Sequence, residues 1–192
     1  MSVALTVFQI AWSTTWGTLH VRIRKGRGYA RAREAIGSRD DWYRHLNPVL
    51  FVAQLALSVA CFWSDAPWLF ELHNNVPLRL VGAALLSAAF LLTLAAVRHL
   101  GDNYSPCYDP HLPGTLVTSG PYSIIRHPMY LAKLLAGAGT LLLSGSFWLA
   151  PSTLYLFAAT LRATRCEDLQ LLHLPGYPQY AARTARLVPY VR

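Results

Sequence analysis

Apolar residues gather along the chain into five runs, Val3 to Leu19, Pro48 to Trp63, Leu78 to Val97, Met129 to Leu143 and Phe147 to Leu161, with polar or turn-rich stretches between them. Several runs exceed the core helices of so small a protein, which predicts a bundle embedded in lipid. The third is built of Leu and Ala with small side chains at Gly82, Ala83, Ser87 and Ala88. At 1.5 Å per residue, its roughly 20 residues cross about 30 Å of hydrocarbon. The last two, about 15 residues each and separated by Ser144, Gly145 and Ser146, predict a tight antiparallel hairpin whose inner ends extend past the lipid or sit where it thins. The first run has no basic residue ahead of it and no small-residue cleavage site behind it, so it reads as a retained helix rather than a signal peptide. The expected fold is all-α, a polytopic membrane helical bundle of about five transmembrane helices. It is read as a single domain over residues 1–192, with three N-terminal helices in 1–97 and a connector, the hairpin and a tail in 98–192.

Charge gives the bundle a direction. The chain is 54% hydrophobic and 14% charged, where a soluble domain carries roughly 25% charged residues. Its 17 Lys and Arg outweigh 9 Asp and Glu, for a net charge of +8. All of the basic residues except Arg79 and Lys133 fall within His20 to Arg44, within Arg98 to Pro128, or from Arg162 onward. The positive-inside rule makes those three segments cytoplasmic and places the N-terminus outside and the C-terminus inside. The connection from Asp65 to Pro77 has no Lys or Arg and belongs outside. Because the basicity borders apolar segments, it points to orientation and anionic lipid contact and not to nucleic acid. Cys61, Cys107 and Cys166 stand far apart, and the histidines lack ligand spacing, so neither a disulfide framework nor a metal site is indicated.

Candidate chemistry concentrates in two polar pieces on that inner face, Arg98 to Tyr130 and Arg162 to Arg192. Pro128 suits the first turn of a helix, Gly120 permits close approach of a flat ligand, and the helix start beside Arg126 suits a carboxylate. Glu167 and Asp168 are adjacent and so point about 100° apart on a helix. They cannot act as a pair on one face, which leaves one to bind a ligand hydroxyl or ammonium and the other to cap or to pair with Arg165.

The succession Leu100-Gly101-Asp102-Asn103-Tyr104-Ser105, then Leu116 to Tyr122, then Arg126-His127-Pro128-Met129-Tyr130, then Glu167-Asp168 with Leu171, then Tyr177, Tyr180 and Arg186-Leu187-Val188-Pro189 resembles the isoprenylcysteine carboxyl methyltransferase family and its phospholipid methyltransferase relatives. The resemblance runs from Arg98 to the C-terminus. It implies an integral membrane enzyme that binds S-adenosylmethionine on the cytoplasmic side without a Rossmann domain. The pocket would form from the loop before the fourth helix and the C-terminal segment, and the methyl acceptor would be lipophilic and reached from the bilayer. On the same resemblance, Leu116, Val117, Gly120, Pro121 and Tyr122 lie along the adenosine, and Arg126 and His127 meet the methionine carboxylate or ribose. Tyr130 closes the pocket, and Glu167, with Asp168 beside it, takes the ribose or ammonium. The family commonly has Glu-Glu where Glu167-Asp168 stands, and Lys133 replaces a small or apolar residue.

Methyl transfer from a sulfonium is an in-line displacement that asks the protein to align the reactants and exclude water, without a metal. A carboxylate acceptor is already ionised and needs only an orienting cation or donor, for which Asn103, Arg183 and Arg186 are the candidate catalytic residues. An amine must lose a proton, which favours Glu167. The resemblance implies carboxyl O-methylation of an isoprenylcysteine-like, prenylated acceptor, with N-methylation of a phospholipid headgroup amine as the alternative. Sterol-reductase-like enzymes share the scaffold but need more crossings, and a membrane scaffold protein would use the polar blocks as loops only. Simpler readings stand beside these: the arginines as positive-inside anchors, the tyrosines as interfacial belt, His127 on a loop carbonyl, Lys133 snorkelling, and Ala132, Ala136 and Thr140 as a packing stripe.

Overall fold

A computed structural model describes residues 75–104 and 113–189 together with Val7, Ala11, Trp12, Thr14, Thr15, Thr18, Leu46, Val49, Val52, Ala53 and Ala56. The first two apolar runs and the basic stretch between them otherwise lie outside the described residues, as do Cys61 and Cys107. Every element among the described residues is helical: α1 (Val76–Leu100), α2 (Pro128–Ser144), α3 (Leu149–Leu171) and α4 (Tyr177–Arg183), with short 3-10 turns at Gly101–Asn103 and Gly120–Ser123.

The Asn75 side chain accepts a hydrogen bond from Leu78 N at 3.2 Å and so caps α1, with Pro77 in its first turn. Arg98 and His99 occupy the last turn, where cations complement the helix dipole. With its following 3-10 turn, α1 runs 28 residues and contains an 18-residue window of mean hydropathy 2.4, of which 33% is buried. It is long and apolar enough to cross a membrane. A core helix of a soluble protein would bury most of that surface, whereas Leu91 here is 65% exposed. Helix α2 is a shorter apolar helix.

Helices α1 and α2 cross with their backbones nearly touching. A Cβ on Gly82 would stand 2.5 Å from Leu143 N, and one on Gly139 would stand 2.9 Å from Gly82 O. Small residues at such a crossing replace a hydrophobic driving force with close packing. The Ala132, Ala136 and Thr140 stripe is buried or partly buried on α2, and Trp12 packs with Leu86, Ala89 and Leu143 and donates from Nε1 to Leu86 O at 2.8 Å. Gly82→Val should therefore lower stability by about 1–3 kcal/mol through overpacking, seen as a reduced unfolding midpoint in detergent. Ala158→Val on an exposed position of α3 should leave the midpoint unchanged.

The hairpin expected from Ser144, Gly145 and Ser146 forms, with α2 ending at Gly145 in the left-handed region. Helix α3 continues ten residues past the end of its apolar run at Leu161. This extension carries Glu167 and Asp168 beyond the apolar segment, alongside the connector that precedes α2.

Candidate active site

The two polar pieces meet at the backbone. Ile125 and Ala185 form a parallel bridge, with Arg126 N donating to Ala185 O at 2.8 Å, Ala185 N to Ile124 O at 3.2 Å and His127 N to Arg186 O at 3.1 Å. Arg126 reinforces the join by donating from Nη1 to the carbonyls of Ala181 at 2.8 Å and Thr184 at 2.5 Å. The tail therefore folds back onto the turn that starts α2.

A buried carboxylate sits at the centre of this join. Asp168 Oδ1 accepts from His127 Nε2 at 2.7 Å, Tyr177 OH at 2.5 Å and Arg126 Nε at 3.3 Å. Its Oδ2 accepts from Arg186 Nε at 2.7 Å and Arg126 Nη2 at 3.2 Å. Burial pushes the Asp168 carboxyl upward, but the hydrogen bonds and charge of His127, together with Tyr177 and Arg126, outweigh it and hold the group well below the usual carboxylate range. Burial, then the hydrogen bond to Asp168, raises the Tyr177 phenol. Tyr180 is pushed up to about 12, chiefly by burial, and donates to Tyr122 O at 2.7 Å. The pairing of an acidic residue with Arg165 does not hold for Asp168: its partners come from the connector and the tail, and Arg165 is exposed.

Beside this hub lies a cleft. Leu116, Val117, Tyr122, Arg126, His127, Tyr130 and Glu167 line it, as do Leu100, Asn103, Pro113, Thr115, Met129, Leu171, Tyr177 and Tyr180. Gly120, Pro121, Asp168, Arg183 and Arg186 stand outside the lining. The flat group packed against Gly120 is the His99 imidazole: a Cβ there would lie 2.3 Å from Nε2, and the backbone has a φ of +59°, so glycine alone fits. Asn103 fastens the connector, accepting from Gly114 N at 2.9 Å and Thr115 N at 3.2 Å and donating to Thr115 Oγ1 at 2.9 Å. Pro113 and Thr115 were not singled out by the sequence; the Pro113-Gly114 turn signal was the available hint.

Glu167 differs from its neighbour. Its Oε2 is buried without a hydrogen-bond partner, and the His127 Nδ1 atom lies 3.9 Å away. An unsatisfied anionic oxygen on a cleft wall is the atom a donor-rich ligand would satisfy.

A helical, membrane-type scaffold with this polar join defines a class that the comparisons identify. A family model described as phospholipid methyltransferase matches residues 78–173, half of the chain, and the chain belongs to that family of membrane methyltransferases. It is similar to the cobalt-zinc-cadmium resistance protein CzcN of Cupriavidus metallidurans, with 40% identity over 80 residues, covering 39% of this chain and 36% of that protein. It is also similar to the nickel-cobalt-cadmium resistance protein NccN of Alcaligenes xylosoxydans xylosoxydans, with 34% identity over 113 residues, covering 57% and 52%. The chain thus spans about half or less of the length of these curated relatives. The match lies on the phospholipid methyltransferase side of the resemblance and does not single out isoprenylcysteine chemistry.

Proposed function

We propose that the chain transfers a methyl group from S-adenosylmethionine to a lipophilic acceptor in the membrane, in the cleft between connector, α2, α3 and α4. The observation that carries this reading is the buried Glu167 Oε2 on the cleft wall, which has no hydrogen-bond partner. The donor's ribose hydroxyls and ammonium are the hydrogen-bond donors such an oxygen requires, and the surrounding tyrosines and aliphatic side chains suit an adenine ring and a sulfonium cation. Glu167 would hold the ribose or ammonium, Leu116, Val117 and Tyr122 the adenosine, and Tyr130 the closed side of the pocket. When bound, S-adenosylmethionine supplies a methyl carbon poised for in-line displacement. The protein's own part is alignment and exclusion of water.

The same electrostatics bear on the acceptor. A carboxylate would need an unengaged cation, and among the described residues the two arginines nearest the cleft, Arg126 and Arg186, are held by Asp168. Arg183 is exposed outside the cleft lining, and Asn103 secures the connector. A headgroup amine needs no such cation, and Glu167 can take up its proton. The reading is therefore N-methylation of a phospholipid headgroup amine, with O-methylation of an isoprenylcysteine-like acceptor as the competitor. The acceptor would enter laterally from the lipid, within a five-helix bundle whose N-terminus is outside and whose C-terminus and cleft are cytoplasmic. The relatives' names speak of metal resistance, whereas this reading rests on the family match and on the cleft.

The test uses the full chain in lipid nanodiscs. Calorimetric titration with S-adenosylhomocysteine should show saturable binding. With methyl-labelled donor and a panel of phosphatidylethanolamine and prenylcysteine analogues, label should appear on the amine. No binding of donor or product overturns the reading, and label on the prenylcysteine carboxyl overturns the amine assignment.

A further inference from the structure

The neighbouring acids Glu167 and Asp168 face different tasks, and the task of Asp168 is not contact with a ligand. A carboxylate offers about four acceptor positions, and Asp168 receives five hydrogen bonds, from His127, Tyr177, Arg186 and twice from Arg126. It is absent from the cleft lining, and its side chain is 11% exposed. No acceptor capacity remains for a cofactor.

The donors come from three separate stretches: the turn before α2, helix α4 and the tail after it. Two of the stretches supply cleft walls, with His127 and Arg126 on one side and Tyr177 and Tyr180 on the other. The third, carrying Arg186, is tied to the turn by the bridge at Ala185. Of the struts on Asp168, the Arg186 side chain is the open one, 40% exposed against 10% for Arg126.

We propose that Asp168 is a positioning residue, a latch whose carboxylate clamps the tail and α4 onto the Arg126–His127 turn and thereby holds the cleft in shape, with Arg186 as its releasable arm. This rests on the cleft being the cofactor site, and it assigns the two acids of the motif separate duties: Glu167 to the ligand, Asp168 to the wall. The one-methylene shorter side chain fits the clamp, since it draws five donors around one point on α3.

Trypsin reads the latch directly, because Arg183 and Arg186 lie within the clamped stretch. In nanodiscs, Asp168→Asn should speed cleavage there about tenfold, because an amide nitrogen now faces a ring of donors. Saturating S-adenosylhomocysteine should restore protection. Its dissociation constant should rise about tenfold while kcat at saturation stays near that of the original protein, and Asp168→Glu should recover part of the protection. If Asp168→Asn does not fold, Arg186→Gln cuts the exposed arm alone and should still speed cleavage at Arg183. Unchanged protection in the variants overturns the latch, and so does lost affinity with the tail still protected, which would put Asp168 on the ligand. If the unsubstituted protein shows no affinity for S-adenosylhomocysteine while Asp168→Asn still exposes the tail, the cofactor reading fails and the latch stands as a clamp on the tail.

Discussion

Glu167→Gln is expected to weaken binding of S-adenosylhomocysteine by about 10- to 100-fold while leaving the stability of the ligand-free protein unchanged or slightly raised. Glu167 Oε2 is buried without a hydrogen-bond partner, with His127 Nδ1 3.9 Å away, so in the absence of ligand the carboxylate gains little from its surroundings. Glutamine keeps the shape and removes the charge. The ligand, in contrast, loses a charge-assisted hydrogen bond, worth about 1.5–3 kcal/mol, and each 1.4 kcal/mol is about tenfold in affinity. Calorimetry together with thermal unfolding separates the two effects, since functional groups held against stability are the ones whose neutralisation can stabilise. Equal affinity in Glu167→Gln and the unsubstituted protein would remove Glu167 from the ligand site.

What the sequence revealed and what it hid divide along the range of the interactions involved. Continuous apolar runs, proline at the first turn and the Ser144-Gly145-Ser146 break are local signals. They placed α1, α2, the hairpin and the start of α3 within a few residues of the structure, because hydrophobic burial and backbone restriction act along the chain. The end of α3 was less legible: from Arg162 onward apolar residues give way to polar ones, and the helix is extended by tertiary contacts of Asp168 and Leu171. Family-type blocks brought Leu116, Val117, Tyr122, Arg126, His127, Tyr130 and Glu167 to one cleft. Adjacency suggests Arg165 as the partner of Asp168, whereas its donors lie 9, 18, 41 and 42 residues away, and the stretches that carry Arg126 and Arg186 are joined by a bridge with no sequence signature. Charge pairing across such distances is set by the fold and carries no period that a single sequence displays.

Arg126→Ala should cost about 1–3 kcal/mol, because it removes two of the five hydrogen bonds on a buried carboxylate while His127, Tyr177 and Arg186 keep the other three. The Arg126 and Asp168 side chains are 10% and 11% exposed, so solvent cannot take over the pairing, and the carbonyls of Ala181 and Thr184 lose their donor as well. Were Arg126 engaged with the methionine carboxylate instead, the same change would spare the fold and reduce affinity alone. The double variant Arg126→Ala/Asp168→Ala should lose less than the sum of the two single changes, because the two residues share two hydrogen bonds, and the cycle measures the coupling. The pH dependence has a definite sign. The Asp168 carboxyl lies lower in the folded protein than in the unfolded chain, so its contribution is full above about pH 4 and is lost as the pH falls below that. Unfolding midpoints of the unsubstituted protein and Arg126→Ala should therefore differ most near neutrality and converge on acidification. A variant that keeps the full midpoint at neutral pH and loses only affinity would put Arg126 on the ligand and leave Asp168 to His127, Tyr177 and Arg186.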